Sequence, residues 1–296
     1  MALSKKEFDV LAYLTENDFT TQRKLAGETG MSIGSVNKYL SALTEKGFLA
    51  DNKITVKGLE ALEPYRVKRA VFLAAGFGSR LVPITLNTPK PLVRVTGMRM
   101  IDSLLDAIIE AGIEDIYIVR GYLSEQFDQL LYKYPMIKFI ENPIYNEANN
   151  IASISCASYL LKNAYVLESD LRLYNKKLIT KYQYQTNYLG IKRDKTDDWC
   201  FVVDDRGIIK KLSIGGTDCY QMVGISYWDE NDGAKLVEHI KDVYTAPGGK
   251  ERFWDQVPLE YHLSDYTVHI RECTQADVVE IDTYSELKAE DKTYTM

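Results

Sequence analysis

The chain has 296 residues, 46% of them apolar, and a formal net charge of −6. That length holds one large domain or two unequal ones, and the acidic balance excludes a chain-wide basic surface for nucleic acid. Four scattered cysteines without a CxxC pair, and only three histidines, point away from a disulfide framework and from a zinc fold. The opening stretch MALSKKEFDVLAYL lacks a long apolar core and a small-residue cleavage site, so no signal peptide is expected and a reducing cytoplasm is the expected setting. No run approaches the roughly 20 apolar residues of a membrane span.

Residues 1–64 predict a small helical domain. Phe8, Leu11, Ala12 and Leu14 fall on one helical stripe. Thr20 and Thr21 offer a cap for a short second helix that Gly30 ends, and Ser32 offers a cap for a third, with Val36, Leu40 and Leu43 at helical spacing before Gly47. The segment FLADNKITVKG reads as two short strands around Asp51-Asn52. Three helices and a hairpin make a winged helix-turn-helix. Ser32, Ser35, Asn37 and Lys38 would face DNA if the domain is used that way. Acidic and basic residues nearly balance up to Glu63, so the phosphate-binding contribution would be small. A protein-contact or homodimer surface is the alternative use.

Pro64 marks a boundary, residues 65–69 a charged linker, and residues 70–296 the second domain. Its strands are expected at Ala70–Leu73, Ile116–Val119, Ile137–Ile140 and Ala164–Leu167. Helices near Met100–Ala111, Ser124–Tyr132 and Ile151–Leu161 alternate with them. This alternation means an α/β fold, a mostly parallel mixed sheet flanked by helices, with ligands outside the carboxyl ends of the strands.

The run LAAGFGSRLVPITLNTPKPL follows the first of those strands. Gly76 and Gly78 let the backbone turn sharply and bring N–H groups against an anion. Small Ala74 and Ala75 leave room for a nucleobase or ribose. Arg80 supplies a guanidinium fork for triphosphate oxygens, and Lys90, held between Pro89 and Pro91, a point charge for the reacting phosphate. The run lacks the third glycine of the Rossmann fingerprint and the Gly-Lys-Ser/Thr of the Walker loop. It resembles the LAAGxGxR…PKPL signature of the sugar-nucleotide and cytidylyl transferase superfamily. Leu73, Ala74, Ala75, Gly76, Gly78, Arg80, Pro83, Thr85, Pro89, Lys90 and Leu92 match.

That resemblance implies a nucleotide site formed by Leu73 to Gly76, Gly78, Ser79 and Arg80, with Arg80 on the β- and γ-phosphates and Lys90 on the α-phosphate. Asp170, ending the strand that carries Glu168, and Asp282, in the segment Glu280-Ile281-Asp282, would be the Mg2+ pair. Gly121 and Tyr122 match a segment that places backbone near the base. Asn149 and Asn150 match an asparagine pair whose amides could read the base or ribose. The three tryptophans each neighbour an acid: Asp198-Trp199, Trp228-Asp229 and Trp254-Asp255. Aromatic walls plus a carboxylate suit a quaternary ammonium.

From Phe72 to about Lys288 the chain resembles the bacterial choline-phosphate cytidylyltransferases, in GYLSEQFD, YNEANN, KRDKTDDW, GISYWD, FWD and EIDTYSEL. The resemblance implies transfer of CMP from CTP to phosphocholine, with Trp199, Trp228, Trp254, Asp198 and Asp255 around the trimethylammonium and Arg193 aiding the phosphates. Glu168 in place of an aspartate and Lys192 in place of an aromatic are departures. A primary aminated phosphate or phosphonate such as 2-aminoethylphosphonate, a sugar-1-phosphate, and a regulator that senses a nucleotide or choline metabolite are the alternatives. A primary ammonium would call for more hydrogen-bond acceptors and fewer aromatic walls.

Overall fold

The computed structural model describes residues 2–294. It divides into two compact units: Met1–Arg66 with Tyr182–Tyr184, and Val67–Lys181 with Gln185–Met296.

In the first unit, α1 (Lys5–Glu16) opens on a capping box between Ser4 and Glu7 and turns Phe8, Leu11 and Leu14 inward. Thr21 caps α2 (Gln22–Thr29), which ends at Gly30 with φ +64°. Ser32 caps α3 (Ile33–Glu45), whose Val36, Leu40 and Leu43 are buried. Strands β1 (Leu49–Ala50) and β2 (Lys53–Ile54) pair antiparallel around Asp51 and Asn52, both at positive φ as a tight hairpin requires. The sequence reading ends the unit with this hairpin, but a fourth helix, α4 (Val56–Leu62), follows it. Thr55 accepts from the Gly58 N–H and starts that helix, overriding the strand preference of Ile54-Thr55-Val56. Tyr184 stacks on Tyr65 with centroids 5.4 Å apart.

The second unit is built on a seven-stranded sheet. In chain order its strands are β3 (Arg69–Ala74), β6 (Asp115–Arg120), β7 (Lys138–Glu141), β8 (Ala164–Glu168), β10 (Asn187–Val203), β11 (Ile209–Trp228) and β12 (His269–Cys273). Their order across the sheet is β12-β10-β11-β8-β3-β6-β7. Only β11 runs against its neighbours, so the sheet is mixed and mostly parallel. Two small pairs lie outside it: β4 (Arg94–Val95) with β5 (Met98–Arg99), and β9 (Leu171–Leu173) with β13 (Val278–Glu280).

Central β3 alternates between two cores. Ala70 and Phe72 join α5 (Met100–Glu110), while Val71 and Leu73 join α6 (Asn150–Cys156) and α7 (Glu230–Thr245). A strand buried on both faces reads as an unbroken apolar run, as this one does. Two expected α-helices come out differently. Ser124–Tyr132 is a 3-10 helix, because its two buried residues, Phe127 and Leu130, are three apart and line up on a threefold spiral. The helix expected over Ile151–Leu161 stops at Cys156 and continues as a short 3-10 turn, Ser158–Leu160. The short helix α8 (Tyr284–Glu290) closes the unit behind a second capping box, Thr283 with Glu286.

Candidate active site

The loop after β3 is folded back on itself. Gly78 has φ +63°, and a Cβ there would lie 2.9 Å from the Lys90 Cβ and 3.1 Å from the Thr85 Cγ2, so only glycine lets Lys90 approach. Thr85 Oγ1 donates to the Gly78 carbonyl at 2.8 Å, and the Tyr122 hydroxyl donates to the Thr85 carbonyl at 3.0 Å. A Cβ at Gly76 would meet nothing within 4 Å, because it faces an open cavity of about 340 Å³. Leu73, Ala74, Ala75, Gly76, Gly78, Ser79, Arg80 and Lys90 line that cavity from one side, and Asn149, Asn150 and Asp170 from the other.

Gly121 and Tyr122, expected near the base, do not line it. A Cβ at Gly121 would strike the Tyr145 ring at 2.7 Å, so the glycine makes room for Tyr145, which does line the cavity. Tyr122 braces the loop from behind. The asparagine amides are also mostly committed to protein. Asn149 caps α6 through its Oδ1, and its Nδ2 donates to the Glu251 carbonyl. Asn150 Nδ2 donates to Glu168 Oε1 at 3.1 Å, while its Oδ1 accepts from the Trp254 N–H at 2.9 Å. Neither amide is free to read a base edge with its full hydrogen-bonding capacity.

The β9–β13 pair explains how acids more than a hundred positions apart meet. Glu280 lies opposite Leu171, and the Ile281 N–H donates to the Asp170 carbonyl at 3.1 Å. This register sets Asp282 beside Asp170 and adds Glu280. Asp170, Glu280 and Asp282 offer carboxylate oxygens all within 4.8 Å of one another. Lys90 Nζ donates to Asp170 Oδ2 at 2.8 Å and to Asp282 Oδ1 at 2.5 Å, and Arg80 Nη2 reaches the same Asp282 oxygen at 2.8 Å. Burial alone would lower the Lys90 ammonium, but the charges of Asp170 and Asp282 outweigh it and raise the pKa. Asp170 Oδ1 is buried with no hydrogen-bond partner.

Crowding by protein, then the charges of Asp170 and Asp282, push the Glu280 carboxyl well up. Its outer edge is nevertheless open to water, so the like-charge repulsion is the firmer cause. Three all-oxygen donors, one of them orphaned and one repelled by its neighbours, fit a hard divalent cation.

A second cavity, of about 380 Å³, shares Arg80, Asn150, Glu168, Asp170 and Asp282 with the first and extends to Asp198, Trp199, Phe253, Asp255 and Glu280. The Trp199 and Phe253 rings meet edge to face at 5.7 Å. Asp255 is buried, and its Oδ1 accepts from the Tyr188 hydroxyl at 2.6 Å. Burial pushes its carboxyl up to about 6 despite that bond. Glu168 is raised well above the usual range by desolvation and by the charges of Asp170 and Asp255.

Trp228 and Trp254, expected as cation walls, are corrections. They are 0% and 1% exposed and belong to the apolar core between the sheet and α7. Trp228 donates its indole N–H to Ser226 Oγ at 2.9 Å and meets Trp254 edge to face at 5.9 Å. Buried indoles of this size hold the core together and cannot wall a ligand. The acid beside Trp228 has a backbone task as well: Asp229 caps α7. Arg193 lines a neighbouring cavity of about 220 Å³ with Asp198, and its Nε donates to Gln221 Oε1 at 2.8 Å. Lys192 is exposed and pairs with Asp218, outside both cavities.

Three residues of the site were missed from the sequence. Glu280 stands two positions before Asp282 and so projects to the same side of the strand, which is the signal that would have found it. Phe253 adjoins Trp254 and takes the exposed place expected of the indole. Glu168, a departure from the resembling pattern, lines both cavities.

The fold and the loop together define a nucleotidyl transferase. The nucleotidyl transferase family profile matches residues 69–187, and the winged helix-turn-helix DNA-binding profile matches residues 3–50. The 2-aminoethylphosphonate cytidylyltransferase of Lancefieldella rimae is 37% identical over 228 residues, 76% of this chain and 92% of the relative. The choline-phosphate cytidylyltransferase of Streptococcus pneumoniae is 30% identical over 74% of this chain and 95% of its own length. The solved structure of the CTP:phosphocholine cytidylyltransferase from Streptococcus pneumoniae superposes with a TM-score of 0.71 at 30% identity, covering 78% of this chain and all of that one. The chain therefore belongs to the cytidylyltransferases that act on phosphate-bearing small molecules, here with an N-terminal winged helix-turn-helix.

Proposed function

We propose that this enzyme transfers CMP from CTP to a small phosphonate or phosphate bearing a primary ammonium, 2-aminoethylphosphonate being the reference case. The observation that carries the reading is the lining of the larger cavity. With Trp228 and Trp254 withdrawn into the core, Trp199 and Phe253 supply its aromatic surface, against the carboxylates of Glu168, Asp198 and Asp255. A trimethylammonium has no N–H and is held by several aromatic faces; a primary ammonium has three N–H groups and needs acceptors. Hydrogen bonds to charged groups contribute ~1.5–3 kcal/mol each, so acceptor-rich walls favour the primary amine. The similarity to the Lancefieldella rimae enzyme supports the same choice.

In this reading CTP lies along the β3 loop, with its base toward Ala75, Gly76 and Tyr145. Asp170, Glu280 and Asp282 would hold Mg2+, which when bound supplies positive charge to the triphosphate and to the acceptor oxygens. Lys90 and Arg80, now paired with Asp170 and Asp282, lie close enough to turn onto phosphate oxygens once those carboxylates are otherwise engaged. An oxygen of the acceptor phosphonate attacks the α-phosphorus in line, the bond to the β-phosphate oxygen breaks, and pyrophosphate leaves. The acceptor oxygen is already anionic at neutral pH, so alignment and charge neutralisation do the work and no protein base is required. Pyrophosphate release measured across nucleoside triphosphates and acceptors should favour CTP with 2-aminoethylphosphonate. A preference for phosphocholine or for a sugar-1-phosphate would refute the reading.

The winged-helix unit exposes Ser32, which caps α3, and Asn37 and Lys38 on that helix, with Ser35 half-buried. Asn37 already accepts from Gln22 at 3.3 Å. With charges nearly balanced over residues 1–63, the unit suits contact with another protein or a second copy better than with duplex DNA. Selection from random DNA fragments should yield no enriched site; an enriched palindrome would make it a DNA reader.

A further inference from the structure

We propose that Glu168, seated over Gly224 and acting with Asp255, is the residue that selects a primary ammonium over a trimethylammonium in the acceptor cavity. This assignment rests on the acceptor reading above and goes further by naming the discriminating side chain. Glu168 ends β8, beside the β11 segment that contains Gly224. A Cβ on residue 224 would lie 2.6 Å from Glu168 Cγ and 2.7 Å from its Cβ. The glycine is therefore a notch that accommodates the longer acid, and any larger residue would push it out.

The surroundings hold this carboxyl group without giving it an ion-pair partner among the described residues. Asn150 Nδ2 donates to Oε1 at 3.1 Å. The Trp254 indole N–H, buried and without a partner of ordinary geometry, is a neutral donor that lowers the Glu168 carboxyl against the larger rise from burial and from Asp170 and Asp255. Asp170 and Asp282 share the Lys90 ammonium, whereas among the described residues neither Glu168 nor Asp255 is in an ion pair. Asp255 faces the same cavity and is likewise held by a neutral donor, Tyr188. Two desolvated carboxyl groups held by neutral donors, with an open cavity in front, describe a seat for a small cation that brings its own N–H groups. A trimethylammonium would leave both carboxylates without donors and carry added bulk toward the notch.

The test is steady-state kinetics of the full chain with CTP, comparing 2-aminoethylphosphonate and phosphocholine. Glu168→Gln is expected to raise KM for 2-aminoethylphosphonate by about 30-fold, the size of one charged hydrogen bond, while KM for CTP and for phosphocholine moves less than about threefold. Glu168→Asp should recover part of the loss. Gly224→Ala, which crowds the carboxylate without removing it, should reproduce the same acceptor split, and it serves if the Gln variant does not fold. Equal losses for both acceptors, or an unchanged preference in the variants that fold, would overturn the assignment. A wild-type enzyme that prefers phosphocholine would instead overturn the acceptor reading, whereas wild-type preference for the primary amine that survives Glu168→Gln overturns only the role of Glu168.

Discussion

Replacing Asp170 with asparagine is expected to lower CTP-dependent turnover by about a thousandfold or more while leaving the fold intact. One oxygen of Asp170 pairs with Lys90, and the other is buried with no partner. Leaving such an atom unsatisfied costs ~1–3 kcal/mol, a penalty that the proposed cation would relieve. The amide keeps the shape but removes one of three anionic donors, and charge neutralisation at the transferring phosphate is worth several kcal/mol. Lys90 keeps Asp282 as a partner, so the variant should fold. Turnover against Mg2+ concentration, with circular dichroism as the folding control, checks this. A rate near wild type would remove Asp170 from the cation site.

Asp255→Asn should stabilise the ligand-free protein at neutral pH while weakening acceptor binding. The Asp255 carboxyl is raised from an ordinary value near 3.8 to about 6 by burial, so ionising it opposes folding. The sign follows from proton linkage: with the folded pKa above the unfolded one, this group's contribution is fully present below about pH 4 and is lost as pH rises through about 6. At pH 7.5 the loss approaches ~3 kcal/mol. An asparagine that keeps the Tyr188 hydrogen bond escapes it. The stability difference between variant and wild type should therefore grow from near zero at pH 4 to that size at pH 7.5.

All three tryptophans lie between residues 199 and 254, so fluorescence excited selectively at tryptophan reports on the transferase unit alone during urea unfolding. In the same variant KM for 2-aminoethylphosphonate should rise at least tenfold, since a charged partner is lost. A variant less stable than wild type at pH 7.5 would mean that the aspartate is ionised and satisfied in the free enzyme. Such a site trades folding stability for binding, as functional sites commonly do.

The phosphate loop was legible because its chemistry is local. Gly78 must admit Lys90, the alanines must stay small, and all of them lie within one stretch of chain. The pairing of Asp170 with Asp282 was legible only through resemblance, since the β9–β13 register that joins them is a long-range fact. That Trp228 and Trp254 lie in the core rather than on the second cavity has a definite reason. A Trp–acid dipeptide shows neither which side of a strand faces the core nor what the acid does. Trp228 points inward at the end of β11 while Asp229 caps the next helix. Trp254 likewise packs inward, and its neighbours Phe253 and Asp255 line the second cavity instead. In the first unit, α4 was hidden because Ile54-Thr55-Val56 favours a strand until the Thr55 side chain caps a helix.

The most direct test of the acceptor reading is a competition in one vessel: CTP, Mg2+ and equal concentrations of 2-aminoethylphosphonate and phosphocholine, with the two CMP conjugates quantified by mass spectrometry at early time. A carboxylate-walled seat for a primary amine predicts at least about a tenfold excess of the aminoethylphosphonate conjugate, the equivalent of one modest charged hydrogen bond. Equal products, or an excess of CDP-choline, would contradict it.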